Sequence, residues 1–430
     1  MRSPRLRFGT FLAPHHPLGE SPTLQFQSDL ELATLLDHLG YDEFWCGEHH
    51  STGWEMIASP EMFLAAAGQV TNTIKLGTGV VSLPYHHPFN VAQRIVQLDH
   101  MTKGRAMFGS GPGALPSDAH TMGISPMLLR DRQDEAMGVI IRLLKGEERF
   151  SYDSDWFTLH EAALQILPIQ ERMPMATASS ISPSGMQIAG KYGIGVLSIA
   201  STSAEGLQAL PTQWAFAEEA AATNGTTVDR GDWRVLMSWH IAETKEQARR
   251  ESVHGLHRWH NEYNVRVLGR PGATHVEDPW DLLDQVSESG AEGGGAAVIG
   301  TPDDLIQAIN NLQKVTGGFG VVLGFAHDWT NRENARRSWD MVARYVIPAV
   351  NGSLQPMQAS ADYVEANKAE LIGGASAAVM SKIMAHEGAA AAMATTMAQM
   401  AERAAARKAK SEEPDNDPVF RPGAGLPNPQ

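Results

Sequence analysis

Adjacent histidines occur three times in the N-terminal quarter of the chain. The pairs are His15-His16, His49-His50 and His86-His87, and Glu48 directly precedes the second pair. Imidazole and carboxylate side chains bind transition-metal ions, and imidazole also transfers protons near neutral pH. The pairs therefore predict either a metal centre or a proton-handling site.

A single metal ion matches none of these pairs well. Adjacent side chains of an extended segment point to opposite faces, so His-x-His spacing serves one ion better than His-His spacing does. Further histidines, His240 and His327 beside Asp328, follow later strands, and they keep a hydrolase-type metal centre open as an alternative. We nevertheless expect no metal.

A glycine-rich segment, FGSGPGALPSD (108–118), points to a phosphate-bearing cofactor. Gly109, Gly111 and Ala114 match the pattern G-x-G-x-x-A. That fingerprint should open a helix directly after a first strand, whereas the two prolines here keep the segment a loop. The glycines still let a planar ring approach the backbone closely, and a plain glycine-rich turn is the alternative.

Serine hydroxyls surround a helix start in ASSISPSGMQIAGKYG (178–193). Free backbone N–H groups at a helix start bind anions, and the helix dipole strengthens that binding. Ser182 before Pro183 marks the start, and Arg130 could supply a cation to the same anion. The alternatives are an ordinary serine cap and an ordinary surface arginine.

These side chains need elements that bring them to one place. Eight apolar segments alternate with helical patterns, and their nearly continuous apolar character suits parallel strands buried on both faces. The segments are 5–12, 42–47, 74–82, 105–111, 173–179, 193–200, 233–242 and 318–326. A hydroxyl residue before proline marks helix starts at Ser21, Ser59, Ser125, Ser182 and Thr301.

Eight βα units predict a (β/α)8 TIM barrel, with a doubly wound open sheet as the alternative. The three histidine pairs follow the first three strands, at the carboxyl ends where barrel active sites lie. We predict a barrel domain over 1–350, with an insertion at 261–300 before the last strand. An Ala- and Met-rich helical extension for packing or oligomerisation follows over 351–410, and an extended or disordered tail over 411–430.

Composition excludes several classes of function. The 34 Lys and Arg residues against 49 Asp and Glu residues argue against nucleic-acid binding, which needs a basic surface. The single cysteine, Cys46, excludes intramolecular disulfides and cysteine-based metal clusters. Because the N-terminus has no signal-like apolar core and no 18-residue apolar stretch occurs, we expect a soluble cytoplasmic protein that does not bind membranes.

Four ordered motifs carry a resemblance to a known family. They are LGYDEFWCGEHH, IKLGTGVVSLPYHHPFNVAQRIVQLDHMTKGRAMFGSG, SSISPSGMQIAGKYGIGVLS and VIGTPDDLIQAINNL. Together they make residues 6–350 resemble the bacterial luciferase-like flavin monooxygenases, TIM-barrel proteins that work with reduced FMN. Within that family the chain looks more similar to the limonene monooxygenase-like branch than to luciferase itself.

The resemblance implies catalytic roles for three histidines. His49 matches the family's active-site histidine beside the flavin, where it assists proton movements and substrate activation. His50 is its partner, and His87 matches another histidine of the pocket. A neutral imidazole near pH 7 is suited to proton transfer.

The resemblance also implies the cofactor-binding residues. Gly79 and Val80 fall where the family often has a non-proline cis peptide beneath the isoalloxazine ring. Arg130 and Ser182 match phosphate-binding positions. Luciferase has an arginine for the phosphate where this chain has Pro112, so phosphate binding must depend on Arg130 and the 179–185 loop. The remaining cofactor-binding positions are Ser110, Gly111, Asp118, Ser179 and Ser180.

The activity that this resemblance implies is that of a two-component monooxygenase. Reduced FMN and O2 would insert one oxygen atom into a small apolar substrate through a flavin C4a-(hydro)peroxide. The substrate could be a terpene, an alicyclic ketone or a halogenated aromatic compound. Because the sequence contains no separate NADH domain, we expect a separate NAD(P)H:flavin reductase as partner, and we expect a homo-oligomer.

Three other functions stay open at this point. One is a deazaflavin-dependent hydride-transfer oxidoreductase of the same fold, and another is the TIM-barrel metal-dependent hydrolase. A non-enzymatic interaction module is the third, and only the Met- and Ala-rich C-terminal segment favours it.

Overall fold

The computed structural model describes residues 5–13, 15–113, 115–199, 203–288 and 296–411. Its strands are β1 Arg7–Leu12, β2 Glu43–Cys46, β3 Lys75–Thr78, β4 Val81–Ser82, β5 Ala106–Gly111, β6 Phe150–Asp153, β7 Thr158–Ala162, β8 Met175–Ser179, β9 Gly195–Ser198, β10 Trp233–Ile241, β11 Ala297–Gly300 and β12 Val321–Ala326. Eight of these strands pair in parallel in the order β1-β2-β3-β5-β8-β9-β10-β12. Since β12 also pairs with β1, the ring is closed, and the predicted TIM barrel is confirmed over the open sheet.

Three features of the sheets differ from the prediction. The segment predicted as one strand over 74–82 is divided into β3 and β4 by a cis peptide between Gly79 and Val80. An antiparallel hairpin, β6–β7, lies between the fourth and fifth barrel strands. The additional strand β11 pairs with the end of β10, where Ser238 aligns with Ala297, so it lies outside the ring.

The helices are α1 Pro22–Leu39, α2 Pro60–Val70, α3 Pro88–Met101, α4 Pro116–Thr121, α5 Leu129–Leu144, α6 Ser184–Tyr192, α7 Ala204–Asn224, α8 Lys245–Arg258, α9 Pro279–Glu288, α10 Pro302–Thr316, α11 Arg332–Met341, α12 Ile347–Val350, α13 Gln355–Met384 and α14 Glu387–Ser411. Prolines open α1, α2 and α10 as predicted, and Thr301 caps α10 in a capping box with Asp304. Ser125 instead caps a short 3-10 turn before α5, and α6 begins at Ser184, one residue after Pro183.

Side chains fill the interior of the barrel. Trp45 is completely buried there with Met107, Leu197, Leu236 and Leu323 among its cluster partners. Neighbouring strands make room for its ring with glycines, because a Cβ on Gly77 would lie 2.5 Å from the indole. The site must therefore be built on the rim of the barrel and not in its centre.

An ion network closes the amino-terminal end of the barrel. Glu43 at the start of β2 is fully buried and accepts hydrogen bonds from Arg234 Nε at 2.6 Å and Arg7 Nη1 at 2.9 Å. The indole N–H of Trp45 donates to the same carboxylate at 2.8 Å. Because every charge here is paired, the network stabilises the end of the barrel that faces away from the site.

Most of the described residues within 261–300 lie in helices or strands. A π-helical turn, Trp259–Val267, continues α8, and α9 and β11 follow. Most of the glycine-rich stretch at 288–297 lies outside the described residues, as does the predicted tail beyond residue 411.

The chain divides into two compact units, Met1–Gly352 and Ser353–Gln430. In the second unit, α13 and α14 are separated at Ala385-His386, and Gly388 lies inside α14. Across the described parts of both units, none of the helices has the length and apolar character needed to cross a membrane.

Candidate active site

The carboxyl ends of β2, β4 and β5 bring buried carboxylates and histidines together. Glu48 and His49 follow β2, while Asp118 lies in the first turn of α4 after β5. Glu48 and Asp118 are only 3% and 2% exposed. A buried carboxylate needs a partner, and here the histidines supply it.

His49 lies between two carboxylates. Its Nδ1 is 3.1 Å from Asp118 Oδ2, and its Nε2 is 3.3 Å from Glu55 Oε2. Burial alone would lower the pKa of His49, but the negative charges of Glu55 and Asp118 raise it. The two carboxylates thus favour the charged form of the His49 imidazole.

Glu48 joins two histidines from different loops. Its Oε1 accepts hydrogen bonds from His50 Nε2 and from His86 Nε2, both at 2.8 Å, and its Oε2 accepts the backbone N–H of Ser82 at 3.0 Å. Burial would raise the pKa of Glu48, yet these bonds lower it to about 2. The hydrogen bond to Glu48 in turn raises the pKa of His50.

His87 lies outside this cluster. It is exposed, and it caps the start of α3 with Nδ1 accepting the backbone N–H of Phe89 at 3.3 Å. Its neighbour His86 takes the place beside Glu48. The reason is local, because Pro88 opens α3 and commits the residue before it to the cap. The structure thus brings His49 and His50 together as predicted and replaces His87 with His86.

Glu55 is a site residue that the sequence patterns did not indicate. Its second oxygen contacts His15 Nε2, and Tyr263 also hydrogen-bonds to this carboxylate. Burial would raise the pKa of Glu55, but His15 and His49 lower it to about 2. Glu55 lies in an irregular loop without hydrophobic periodicity, so only its position between Trp54 and Met56 could have suggested burial.

An aromatic wall stands beside Glu55. The rings of His15 and Tyr263 have centroids 4.6 Å apart, and Trp54 lies 5.3 Å from Tyr263. Phe325, at the end of the last barrel strand, continues the wall 5.3 Å from His15. The four rings are only 1% to 9% exposed, so they form a packed and mainly apolar face beside Glu55.

The Gly79–Val80 peptide is cis, as the motif analysis expected at this position. It lies between strand ends, since Gly79 N–H donates to Cys46 carbonyl at 2.6 Å and Val81 aligns with Ser110 of β5. A Cβ added to Gly111 would lie 2.4 Å from Val80 Cγ2, so only glycine fits there. These residues form a closely packed floor beside Glu48.

A cationic and hydroxyl-bearing group lies at the start of α6. Arg130 Nε donates to Ser184 Oγ at 3.3 Å, and Ser184 Oγ is 2.9 Å from Ser182 Oγ. Ser180, in the same loop, is exposed. The structure thus brings Arg130 and Ser182 together as predicted, and adds Ser184, which the motif comparison did not select.

Two buried hydroxyls at adjacent strand ends have no hydrogen-bond partner among the described residues. They are Ser110 Oγ at the end of β5 and Ser179 Oγ at the end of β8. Buried polar groups are normally paired, by protein or by a ligand. Both hydroxyls therefore suit a polar ligand bound over the barrel mouth.

Three further histidines named in the sequence analysis make other contacts. His16 lies between Asp29 and Asp328, His240 Nε2 is 2.8 Å from Glu251, and His327 stacks on Trp329 with centroids 3.6 Å apart. Within the described part of the chain, none of these three histidines contacts the carboxylates around His49. The hydrolase-type metal centre suggested by His240 and His327 is therefore not assembled there.

Comparisons with known proteins agree with this fold. The family model for luciferase-like monooxygenases matches residues 6–317. The chain is 46% identical over 363 residues to 4-hydroxyprotoasukamycin monooxygenase of Streptomyces nodosus subsp. asukaensis, covering 84% of this chain and 96% of the relative. It is also 46% identical over 354 residues to limonene 1,2-monooxygenase of Rhodococcus erythropolis, covering 82% and 88%.

A solved structure shows the same relationship. The oxygenating constituent of 3,6-diketocamphane monooxygenase from Pseudomonas putida, a type II Baeyer–Villiger monooxygenase in complex with FMN, superposes with a TM-score of 0.67. It is 26% identical and covers 80% of this chain and 98% of its own. The family predicted from the four ordered motifs is confirmed, and the chain belongs to the luciferase-like monooxygenase family of oxidoreductases.

Proposed function

We propose that the chain is the oxygenase component of a two-component, FMN-dependent monooxygenase. In the proposed reaction, reduced FMN, O2 and an apolar substrate yield the oxygenated product, oxidised FMN and water. The observation that carries the proposal is that His49, held by two buried carboxylates, shares the carboxyl end of the barrel with the Gly79–Val80 floor and the Arg130–Ser182 group.

The residues present fit a flavin mononucleotide. Arg130, Ser182 and Ser184 offer a cation and hydroxyls for the phosphate, beside the free N–H groups at the start of α6. Ser110 and Ser179 offer unpaired buried hydroxyls at neighbouring strand ends, where the polar edge of a ring or its ribityl chain can bind. Gly79 and Gly111 let the floor pack closely, since an added Cβ would lie 3.0 Å from Trp45 Cβ at Gly79 and 2.4 Å from Val80 Cγ2 at Gly111.

Reduced flavin, when bound, supplies the electrons that activate O2 for transfer of one oxygen atom to the substrate. The protein's part is to move protons and exclude water. His49 can hold a proton at Nε2 against Glu55 and release it there during turnover, while Asp118 fixes the ring through Nδ1. His50 lies on the same rim and is hydrogen-bonded to Glu48.

A small apolar substrate suits the aromatic wall. Trp54, Tyr263 and Phe325 stand on the Glu55 side of His49 and offer ring faces in place of charges. The relatives' names include a limonene and a diketocamphane monooxygenase, so a terpene or an alicyclic ketone is the substrate class that we propose first. A halogenated aromatic compound fits the same wall. We propose a separate NAD(P)H:flavin reductase as the source of reduced FMN.

Binding titrations test the cofactor. The full chain is titrated anaerobically with reduced FMN and aerobically with oxidised FMN, and we expect tighter binding of the reduced form. A chain that binds only a deazaflavin would contradict the monooxygenase proposal and favour hydride transfer. Products are then sought from a panel of terpenes and cyclic ketones, with reduced FMN from an unrelated reductase and ¹⁸O2 as the label.

Replacing His49 tests the proton-handling role. In His49→Ala we expect product formation to fall by roughly 10²–10⁴-fold, the range for a lost general acid or base. Hydrogen peroxide release should rise and FMN binding should persist. His100→Ala, which removes an exposed histidine bonded to Leu167 carbonyl, is the control. An unchanged ratio of product to peroxide in His49→Ala would refute the role.

A further inference from the structure

Glu48, His50 and His86 converge on one point of the barrel rim. Their ligand atoms, one carboxylate oxygen and two imidazole nitrogens, all lie within 4.8 Å of one another. Glu48 Oε1 lies 2.8 Å from each nitrogen. Nothing in the proposed oxygenation needs His86, so this three-residue group calls for an explanation of its own.

These three residues can face one ion although an adjacent histidine pair cannot. Adjacent histidines of an extended segment point to opposite faces. Here two different pairs contribute one member each, His50 from the second pair and His86 from the third. Glu48 and His50 are two residues apart, which places both side chains on one face of an extended segment.

We propose that Glu48, His50 and His86 form a binding site for a divalent transition-metal ion of the zinc type. Two imidazole nitrogens and one carboxylate oxygen are ligands that zinc accepts, and three protein ligands leave the fourth tetrahedral position for water. The site is separate from any hydrolytic centre at His240 and His327, which lie elsewhere.

The spacing of the ligand atoms is close to what zinc needs. Zinc binds nitrogen and oxygen at about 2.0–2.2 Å in a tetrahedron, which sets neighbouring ligand atoms roughly 3.3 Å apart. Each nitrogen now lies 2.8 Å from Glu48 Oε1, so each imidazole must retreat by roughly 0.5 Å. Rotation about side-chain torsions accommodates a shift of that size.

The surroundings of the three residues support an ion. The backbone N–H of Ser82 holds Glu48 Oε2 at 3.0 Å and so orients the carboxylate from behind, as outer-shell partners of metal sites do. The Glu48 side chain is 1% exposed, whereas those of His50 and His86 are 13% and 21% exposed. The carboxylate is thus buried, and the open side of the site is the histidine side, where an ion can enter.

Isothermal titration calorimetry with ZnCl₂ tests the proposal on the full chain after treatment with a chelator. We expect one equivalent of Zn²⁺ to bind the wild type. His86→Gln should weaken that binding by more than roughly 100-fold, beyond the effect of losing an outer-shell partner. His87→Gln, a change at the adjacent exposed histidine, should leave the affinity unchanged and serves as the matched control.

A second measurement uses absorption spectroscopy in place of calorimetry and adds the variant His50→Gln to His86→Gln. Co²⁺ in place of Zn²⁺ should give the visible absorption bands of a tetrahedral ion in the wild type and in His87→Gln, and should lose them in His50→Gln and His86→Gln. Two results would overturn the proposal. One is the lack of saturable binding near one equivalent by the wild type, and the other is undiminished affinity in both His50→Gln and His86→Gln.

Discussion

His49 differs from an isolated histidine because both of its ring nitrogens face carboxylates. Asp118 lies on the Nδ1 side and Glu55 on the Nε2 side, and neither carboxylate is more than 5% exposed. A histidine so placed carries its proton to a higher pH than usual. Glu55, which faces Nε2, is therefore one of the two charges that raise the pKa of His49.

Replacing Glu55 should change how His49 titrates. Burial lowers the pKa of His49 and the Glu55 charge raises it, so Glu55→Gln should shift that pKa to lower pH. NMR titration of the histidine ring protons measures it, with the exposed Glu20→Gln as control. A His49 pKa that stays in place would show that Asp118 alone sets it.

Arg130 offers a test of the phosphate group. Arg130→Gln should weaken FMN binding by about 1.5–3 kcal/mol, the usual value for a hydrogen bond to a charged group. That loss is roughly ten- to 150-fold in the dissociation constant. Flavin fluorescence titration measures it. Arg132→Gln is the matched control, since Arg132 lies over the Trp156 ring two residues along the same helix. Equal effects of the two changes would indicate a general loss of charge and not a phosphate contact.

At this scale the sequence identified most of the cluster and missed specific partners. His49, His50 and Asp118 were found because ordered motifs surround them. His86 was passed over for His87, although Pro88 already marks His87 as a helix cap. Glu55 carried no signal, because a buried carboxylate in an irregular loop depends on tertiary contacts with His15 and Tyr263 that no local pattern encodes.

At the scale of elements, His16 ties the loop after β1 to two others. Its Nδ1 lies 2.7 Å from Asp328 after β12, and its Nε2 lies 3.1 Å from Asp29 in α1. Burial would lower the pKa of His16, but the two carboxylates raise it to about 10. The two histidines after β1 thus have different partners. His15 contacts Glu55, whereas His16 links the loops after β1 and β12 to α1.

The His16 contact should make stability depend on pH in a defined direction. Because the folded-state pKa is raised, the stabilisation is fully present below the unfolded pKa of 6.5 and is lost as pH rises towards about 10. His16→Gln should lower the free energy of unfolding by about 1–3 kcal/mol near pH 6. The difference in unfolding free energy between the wild type and this variant should become smaller as pH rises. Urea denaturation across this range measures the difference, and a difference independent of pH would contradict the ion pairs.

The elements that the sequence predicted are those with long apolar signals. All eight barrel strands were found because parallel strands covered by helices are apolar on both faces. The β6–β7 hairpin was missed because it is only partly buried: β6 alternates between half-buried and exposed residues, and three of the five residues of β7 are exposed. Such a pattern is weaker than a continuous apolar run. Strand β11 was missed because four residues after a glycine-rich stretch give too short a signal.

At the scale of the whole molecule, the two ends of the barrel have different tasks. The amino-terminal end holds the Glu43–Arg234–Arg7 network, and the carboxyl end holds the site. Removing one partner of a buried ion pair leaves an uncompensated charge, so Glu43→Gln should lower the free energy of unfolding by about 3–5 kcal/mol. Denaturant unfolding measures this, and FMN binding by the folded variant should be unchanged. A smaller loss than about 1 kcal/mol, within the range of exposed pairs, would contradict the network's importance.

The same carboxylate contributes to acid sensitivity. Burial alone would raise the pKa of Glu43, but the charges of Arg234 and Arg7 lower it by more, so the net shift is downward. Its contribution is therefore fully present above the unfolded pKa of about 4.3 and is lost as pH falls through the lower folded value. The wild type should accordingly lose stability below that pH more steeply than Glu43→Gln does.

The second unit differs from the barrel in composition and burial. Helices α13 and α14 are almost entirely exposed along their described residues, with apolar side chains such as Leu371, Ile372 and Met397 open to solvent. Long helices with so little burial draw limited stability from packing. The role in packing or oligomerisation predicted for this unit stays a prediction.

The filled barrel centre has a consequence for traffic through the enzyme. Trp45 and its neighbours leave no passage along the barrel axis in the described residues, so the interior connects to solvent only at the mouth. Under the proposed function, the flavin, the substrate and the product would therefore all bind and leave at the same end of the barrel, and the loops after the strands would control the exchange of all three.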